Sequence, residues 1–98
     1  MIGVLVTFSY GDHFDEQAVR KIAESARPTF EGMPGLRSKA FTVNSGKREA
    51  RNFYIWDSED AAKAFFTGAL LERITNLYGV RPSIEFMQIA EFVENARA

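Results

Sequence analysis

The 98-residue chain contains no cysteine. Disulfides, thiolate nucleophiles and cysteine-held metal sites are therefore excluded, and stability has to come from packing. Histidine is nearly absent as well, with His13 the only one. One histidine does not make a metal site without carboxylates at suitable spacing, and Asp12 and Asp15 beside it read more simply as a helix-capping group. A metal is not expected. Charge of one sign is missing too: 12 basic residues face 13 acidic ones, a formal net charge of -1, which sets up no field to attract phosphate backbones or anionic lipid. Arg37, Lys39, Lys47, Arg48 and Arg51 do gather around a predicted hairpin, but Glu49 sits among them and no stacking aromatic pattern accompanies them. Nucleic acid and membrane are not expected partners. The apolar stretch Met1 to Phe8 is too short to span a bilayer and lacks the basic segment of a signal peptide, so a cytoplasmic location is the default expectation.

What is abundant is apolar surface, at 46% of residues with nine Phe. A second core would leave each half of the chain too small to bury enough of it, so one domain over residues 1–98 is expected.

The order of elements is readable from periodicity. Ile2 to Phe8 (IGVLVTF) is apolar on both alternating faces, as a central strand covered on both sides would be. From Phe14 the apolar positions Ala18, Val19, Ile22, Ala23 and Ala26 form a helical stripe opposite Asp15, Glu16, Arg20, Lys21 and Glu24. Asp12 or His13 is the expected cap. Pro28 is expected to kink or end this helix, with the end placed between Ala26 and Gly32. Leu36 to Asn44 and Glu49 to Trp56 read as a hairpin turning at Ser45, Gly46 and Lys47. Asp57 or Ser58 caps a second helix that Gly68 divides and Gly79 ends. Ile84 to Val93 reads as the last strand.

This β-α-β-β-α-β order with a central hairpin predicts an α+β fold of ferredoxin-like type: a four-stranded antiparallel sheet with its helices on one face. Nothing in the chain covers the other face. Phe53 and Ile55 alternate with Asn52, Tyr54 and Trp56 along the third strand, so both faces carry large apolar groups. A monomer would leave one set in water, and a homodimer with the two sheets face to face removes it.

On these features the chain resembles the dimeric α+β barrel superfamily, and within it the small bacterial mono-oxygenases related to the antibiotic-biosynthesis monooxygenases. The phrases GMPGLRSKAF and NFYIWDSEDAAKAFF carry the likeness, which spans nearly the whole chain. The resemblance implies a homodimer whose cavity, between sheet and helices, binds an aromatic or quinol-type molecule and oxidises it with O₂ without metal or flavin. It also implies a site containing an Asn and a Trp four residues apart on the third strand, which Asn52 and Trp56 match. Four residues along a strand return to the same face. Asn52 then hydrogen-bonds a substrate oxygen or a developing oxyanion, and the Trp56 indole N–H faces O₂-derived groups. Many relatives carry a histidine on the second helix; here Phe65, Phe66 and Thr67 occupy that region, so haem degradation is not expected.

His13 is the one side chain that ordinarily titrates near neutrality and is the base candidate, set against a plain role as a solvated residue before the helix. Tyr54, Phe8, Tyr10 and Phe65 are the expected substrate-binding residues, and each equally suits a core that merely fills space. Arg73 or Arg81 is a possible partner for an anionic substrate. The alternative to catalysis is a dimeric small-molecule-binding or stress-related module on the same fold.

Overall fold

Val4, Val6 and Phe8 on one side of a strand and Gly3, Leu5 and Thr7 on the other make β1 (Ile2–Ser9) the centre of the computed structural model. The structure describes residues 1–95, and the last three of the expected 1–98 domain lie outside the described residues. Among these, four antiparallel strands form one sheet in the order β2-β3-β1-β4, with β2 at Leu36–Asn44, β3 at Glu49–Trp56 and β4 at Ser83–Gln88. Three helices complete the ferredoxin-like α+β fold: α1 (Glu16–Phe30), α2 (Glu59–Phe65) and α3 (Gly68–Tyr78).

Register sorts the side chains into two rows. Val4 lies opposite Tyr54 and Phe86, and Val6 opposite Asn52 and Ile84; Lys39 lies opposite Tyr54 on β2. Residues directly opposite in a ladder share a face, so this row, with Ile2, Phe8, Ala50 and Trp56, is the helix side. Ile2, Val4, Val6, Phe8, Ala50, Tyr54 and Trp56 are all buried there together with Val19, Ala62 and Tyr78. The opposite row places Gly3, Leu5, Phe53, Ile55 and Met87 on the face away from the helices, which no helix or strand among the described residues covers. Gly3 has a steric reason to lack a side chain: a Cβ would come within 3.0 Å of Phe53 Cζ, so the phenyl ring lies directly against the backbone of β1.

Two features of the helices depart from the sequence reading. The cap of α1 is neither Asp12 nor His13, because Gly11–His13 form a separate 3-10 turn. Asp15 caps instead, its Oδ1 accepting from Ala18 N at 3.1 Å. Pro28 is inside α1, two residues before its last residue Phe30, where only the bond to the Glu24 carbonyl is forgone and the site is exposed. The end at Phe30 falls within the expected range. Ser58 caps α2, and the helical segment is divided where Thr67 Oγ1 accepts from Leu70 N and starts α3. Gly79 closes α3 at φ 83°, a conformation that glycine adopts without strain.

β4 is shorter than expected, ending at Gln88 and not Val93. Its partner supplies the reason: Gln88 pairs with Ile2, the first residue of β1, so no ladder remains beyond it.

Candidate functional site

Between the helix side of the sheet and the two longer helices lies a cavity of about 600 Å³, within the size range of small-molecule sites. Its floor is Phe8 of β1, Lys39 of β2 and Asn52 and Tyr54 of β3. One wall is α1, through Lys21, Ile22, Ser25, Ala26, Thr29 and Phe30; the other is Phe65 of α2 with Leu70, Arg73, Ile74, Leu77 and Tyr78 of α3. Leu77 is 56% exposed and Lys21 and Arg73 are exposed, which sets the rim. The wall is predominantly apolar and contains no carboxylate; its three charged residues are all cations.

Four of the polar groups are tied in two pairs. Asn52, 3% exposed, donates from Nδ2 to Tyr78 Oη at 2.9 Å, while the Tyr78 ring stacks on Phe8 at 3.8 Å and 10°. The amide oxygen of Asn52 and the Tyr78 hydroxyl proton are left over for a ligand. In the second pair Lys39 Nζ donates to Tyr54 Oη at 2.8 Å. That ammonium sits 3.4 Å from the Phe30 ring centroid, 4.1 Å from Phe41 and 4.2 Å from Tyr54. Burial without an acidic partner pushes the Lys39 pKa down to about 7, and cation–π attraction from the cage, about 0.5–2 kcal/mol, acts in the opposite direction. Burial, and then the neighbouring Tyr78 hydroxyl, push Tyr54 upward. Tyr78 is raised by burial, against the opposing hydrogen bond from Asn52. Both phenols are neutral donors across the physiological range.

Of the residues expected from sequence, Asn52, Tyr54, Phe8 and Phe65 come together on the cavity wall, and Arg73 reaches its rim. Four do not line it. Trp56 shares the face of Asn52 and Tyr54 but is 1% exposed, packed at 5.1 Å against Phe65 and at 6.1 Å against Phe66 and stacked at 6.0 Å on Tyr54. Its indole Nε1 is buried without a hydrogen-bond partner. Tyr10 packs edge-on to Phe14 with its hydroxyl also buried and unpartnered, and burial pushes its pKa up to about 12. His13 is exposed on the 3-10 turn, because Asp15 and not His13 begins α1. Arg81 is exposed and lies away from the cavity wall. Among the described residues no three His, Asp or Glu side chains come together as a metal-ligand set, and no helix is long and apolar enough to cross a membrane.

Comparison with known proteins agrees with this architecture. The sequence profile of the family described as "Putative mono-oxygenase ydhR" matches residues 4–91. The chain belongs to this family. Among curated proteins none matches the sequence significantly. Solved structures similar to it include a monooxygenase of Streptomyces coelicolor, from the gene ActVA-Orf6, in complex with Nanaomycin D. That protein is 20% identical, with 97% of this chain and 92% of that one covered and a TM-score of 0.68. SnoaB, a cofactor-independent oxygenase from Streptomyces nogalater, is 13% identical over 96% of this chain and 97% of that one, at a TM-score of 0.69. A protein of unknown function from Nitrosomonas europaea is 15% identical over 98% and 95%, at 0.74. At these identities the likeness is one of fold.

Proposed function

We propose that this member of the mono-oxygenase family oxidises a phenolic or quinol-type aromatic with O₂, without metal or flavin, in the cavity bounded by Asn52, Tyr54 and Tyr78. The observation that carries the reading is the composition of that cavity. An apolar, ring-lined slot holds a flat ligand by burial, and a few convergent hydrogen-bonding groups orient its oxygens. For a phenol with an open para carbon the reaction balances as phenol plus O₂ giving quinone plus water, the substrate supplying all four electrons. What the protein has to do is hold the ring, stabilise the negative charge that builds on its oxygen and keep bulk water away. Asn52 and the Tyr54 and Tyr78 hydroxyls are the groups for the first two tasks. Trp56, behind Phe65 and Tyr54, shapes the floor, and its unpaired indole N–H is the donor available to a small molecule such as O₂ that reaches the layer behind them. His13, in water, is left without a part in this scheme.

Oxygen uptake with a panel of naphthols and hydroquinones tests the reading. Wild type is expected to consume O₂, and Asn52→Ala to slow uptake about 10²-fold, because Asn52 Nδ2 holds the Tyr78 hydroxyl whose proton is the positioned donor to the developing oxyanion. No uptake across the panel, together with thermal stabilisation by the same compounds, would replace the oxygenase reading with that of a binding module.

The homodimer belongs to the same proposal. Leu5, Phe53, Ile55 and Met87 lie on the sheet face that no helix among the described residues covers, and a second copy related by a two-fold axis offers the same apolar row in return. Light scattering at micromolar concentration is expected to give the dimer mass for wild type and the monomer mass for Ile55→Asp. A wild-type monomer would remove this part of the reading.

A further inference from the structure

We propose that Lys39, caged by Phe30, Phe41 and Tyr54 on the cavity floor, is the base that takes the hydroxyl proton of a bound phenol and then holds the phenolate as its ion pair. The inference rests on the phenol-oxidising reading above and adds the proton acceptor that reading lacks. Direct reaction of O₂ with an aromatic needs the electron-rich phenolate, so a proton must leave first. Among the described residues on the cavity wall there is no carboxylate and no histidine, and Lys39 is the amine on the floor, enclosed by rings, while Lys21 stands exposed at the rim.

The geometry leaves the Lys39 Nζ lone pair free. With one N–H of Nζ donated to Tyr54 Oη at 2.8 Å, the head group is fixed and the lone pair is available to a bound phenol. In the transfer the phenol O–H bond breaks, the proton joins the Nζ lone pair, and both electrons stay on the oxygen, so no oxidant enters this step. The ammonium formed is held by the three rings around it and by the anion beside it. The surrounding charges leave the amine in its basic, unpaired state. From α1, Lys21 lies along the cavity, while Arg27 and Glu31 line the adjoining cleft and are occupied with each other at 3.5 Å. From β2, Arg37 lies 3.4 Å from Asp57, and from α3, Arg73 adds a further cation. No carboxylate salt-bridges Lys39 among the described residues.

The test uses 1-naphthol, whose hydroxyl titrates well above neutrality as a tyrosine's does, with binding read from the naphtholate absorption band and no turnover required. A neutral amine plus a neutral phenol carries the same number of protons as the ion pair. Wild-type affinity is therefore expected to be flat between about pH 7 and the naphthol's own pKa, and to fall tenfold per pH unit below about 7. Lys39→Arg keeps a cation that accepts no proton, so its affinity rises tenfold per pH unit through the range where wild type is flat. Lys39→Met binds naphthol in its protonated form and shows no naphtholate band. A wild-type protein that shows no such band at pH 8, or a Lys39→Arg profile that follows wild type, overturns the proposal. Naphtholate formation without O₂ uptake would instead sink the oxygenase reading and leave Lys39 standing, while O₂ uptake surviving in Lys39→Met would sink Lys39 alone.

Discussion

Trp56→Ala is expected to lower the unfolding free energy by about 3–5 kcal/mol, the usual range for deleting a fully buried large aromatic. Denaturant titration measures it. For a domain of this size that is a large share of the ~5–15 kcal/mol available. The side chain is 1% exposed and, with Tyr54, joins the chain of rings that runs from β3 through Phe65 and Phe66 to Phe86 on β4, so the cavity left behind is ringed by aromatic faces that cannot close over it. Trp56→Phe separates packing from chemistry. It keeps most of the apolar contact and removes only the indole N–H, a donor that is buried without a partner. Loss of an unpaired donor should be close to neutral for stability, since no hydrogen bond is broken. If the N–H serves oxygen chemistry, kcat for O₂ uptake falls at least tenfold in Trp56→Phe while its unfolding midpoint stays near wild type. An unchanged kcat would reduce Trp56 to a pillar of the floor.

The reason one such role can be proposed from sequence and another cannot is visible in β2 and β3. Alternation along EARNFYIW places Asn52, Tyr54 and Trp56 on one face whatever the rest of the fold does, so the floor of the site was legible. Which of the three reaches the cavity was not, because that depends on Phe65 and Phe66 covering Trp56 and leaving Asn52 open. By charge alone Lys39 reads as one cation in a basic group around the hairpin. The same period-2 rule put it on a face with Phe41 and Val43, a lysine in an otherwise apolar row, and that was the available signal. Tyr78 carried none: it enters the site only because α3, restarted at Thr67, returns across the sheet to meet Asn52 and Phe8. His13 shows the reverse case, a residue singled out by chemical type whose position was decided locally by a turn and a cap two residues on.

Lys39 makes the second large effect one of pH. Its ordinary value of 10.5 falls to about 7 in the folded chain, so between those limits the unfolded chain binds the extra proton and stability rises with pH. Below about 7 both states are charged and the full penalty of burying the ammonium applies. Above 10.5 neither is charged and the penalty is gone. At about 1.4 kcal/mol per pH unit in the steep part, wild type is expected to gain up to about 2 kcal/mol of unfolding free energy between pH 7 and 9, read from urea midpoints. The gain reverses once pH passes the ordinary tyrosine value of 10.0, because Tyr54 and Tyr10 are raised on folding and the unfolded chain then sheds its tyrosine protons first. Lys39→Met removes the titrating group and fits the same volume among Phe30, Phe41 and Tyr54, so its midpoint should be flat from pH 7 to 9 and above that of wild type at pH 7. A wild-type midpoint that does not move over this range would mean that Nζ reaches water in solution, and an amine solvated to that degree is protonated at neutral pH and no longer serves as a base.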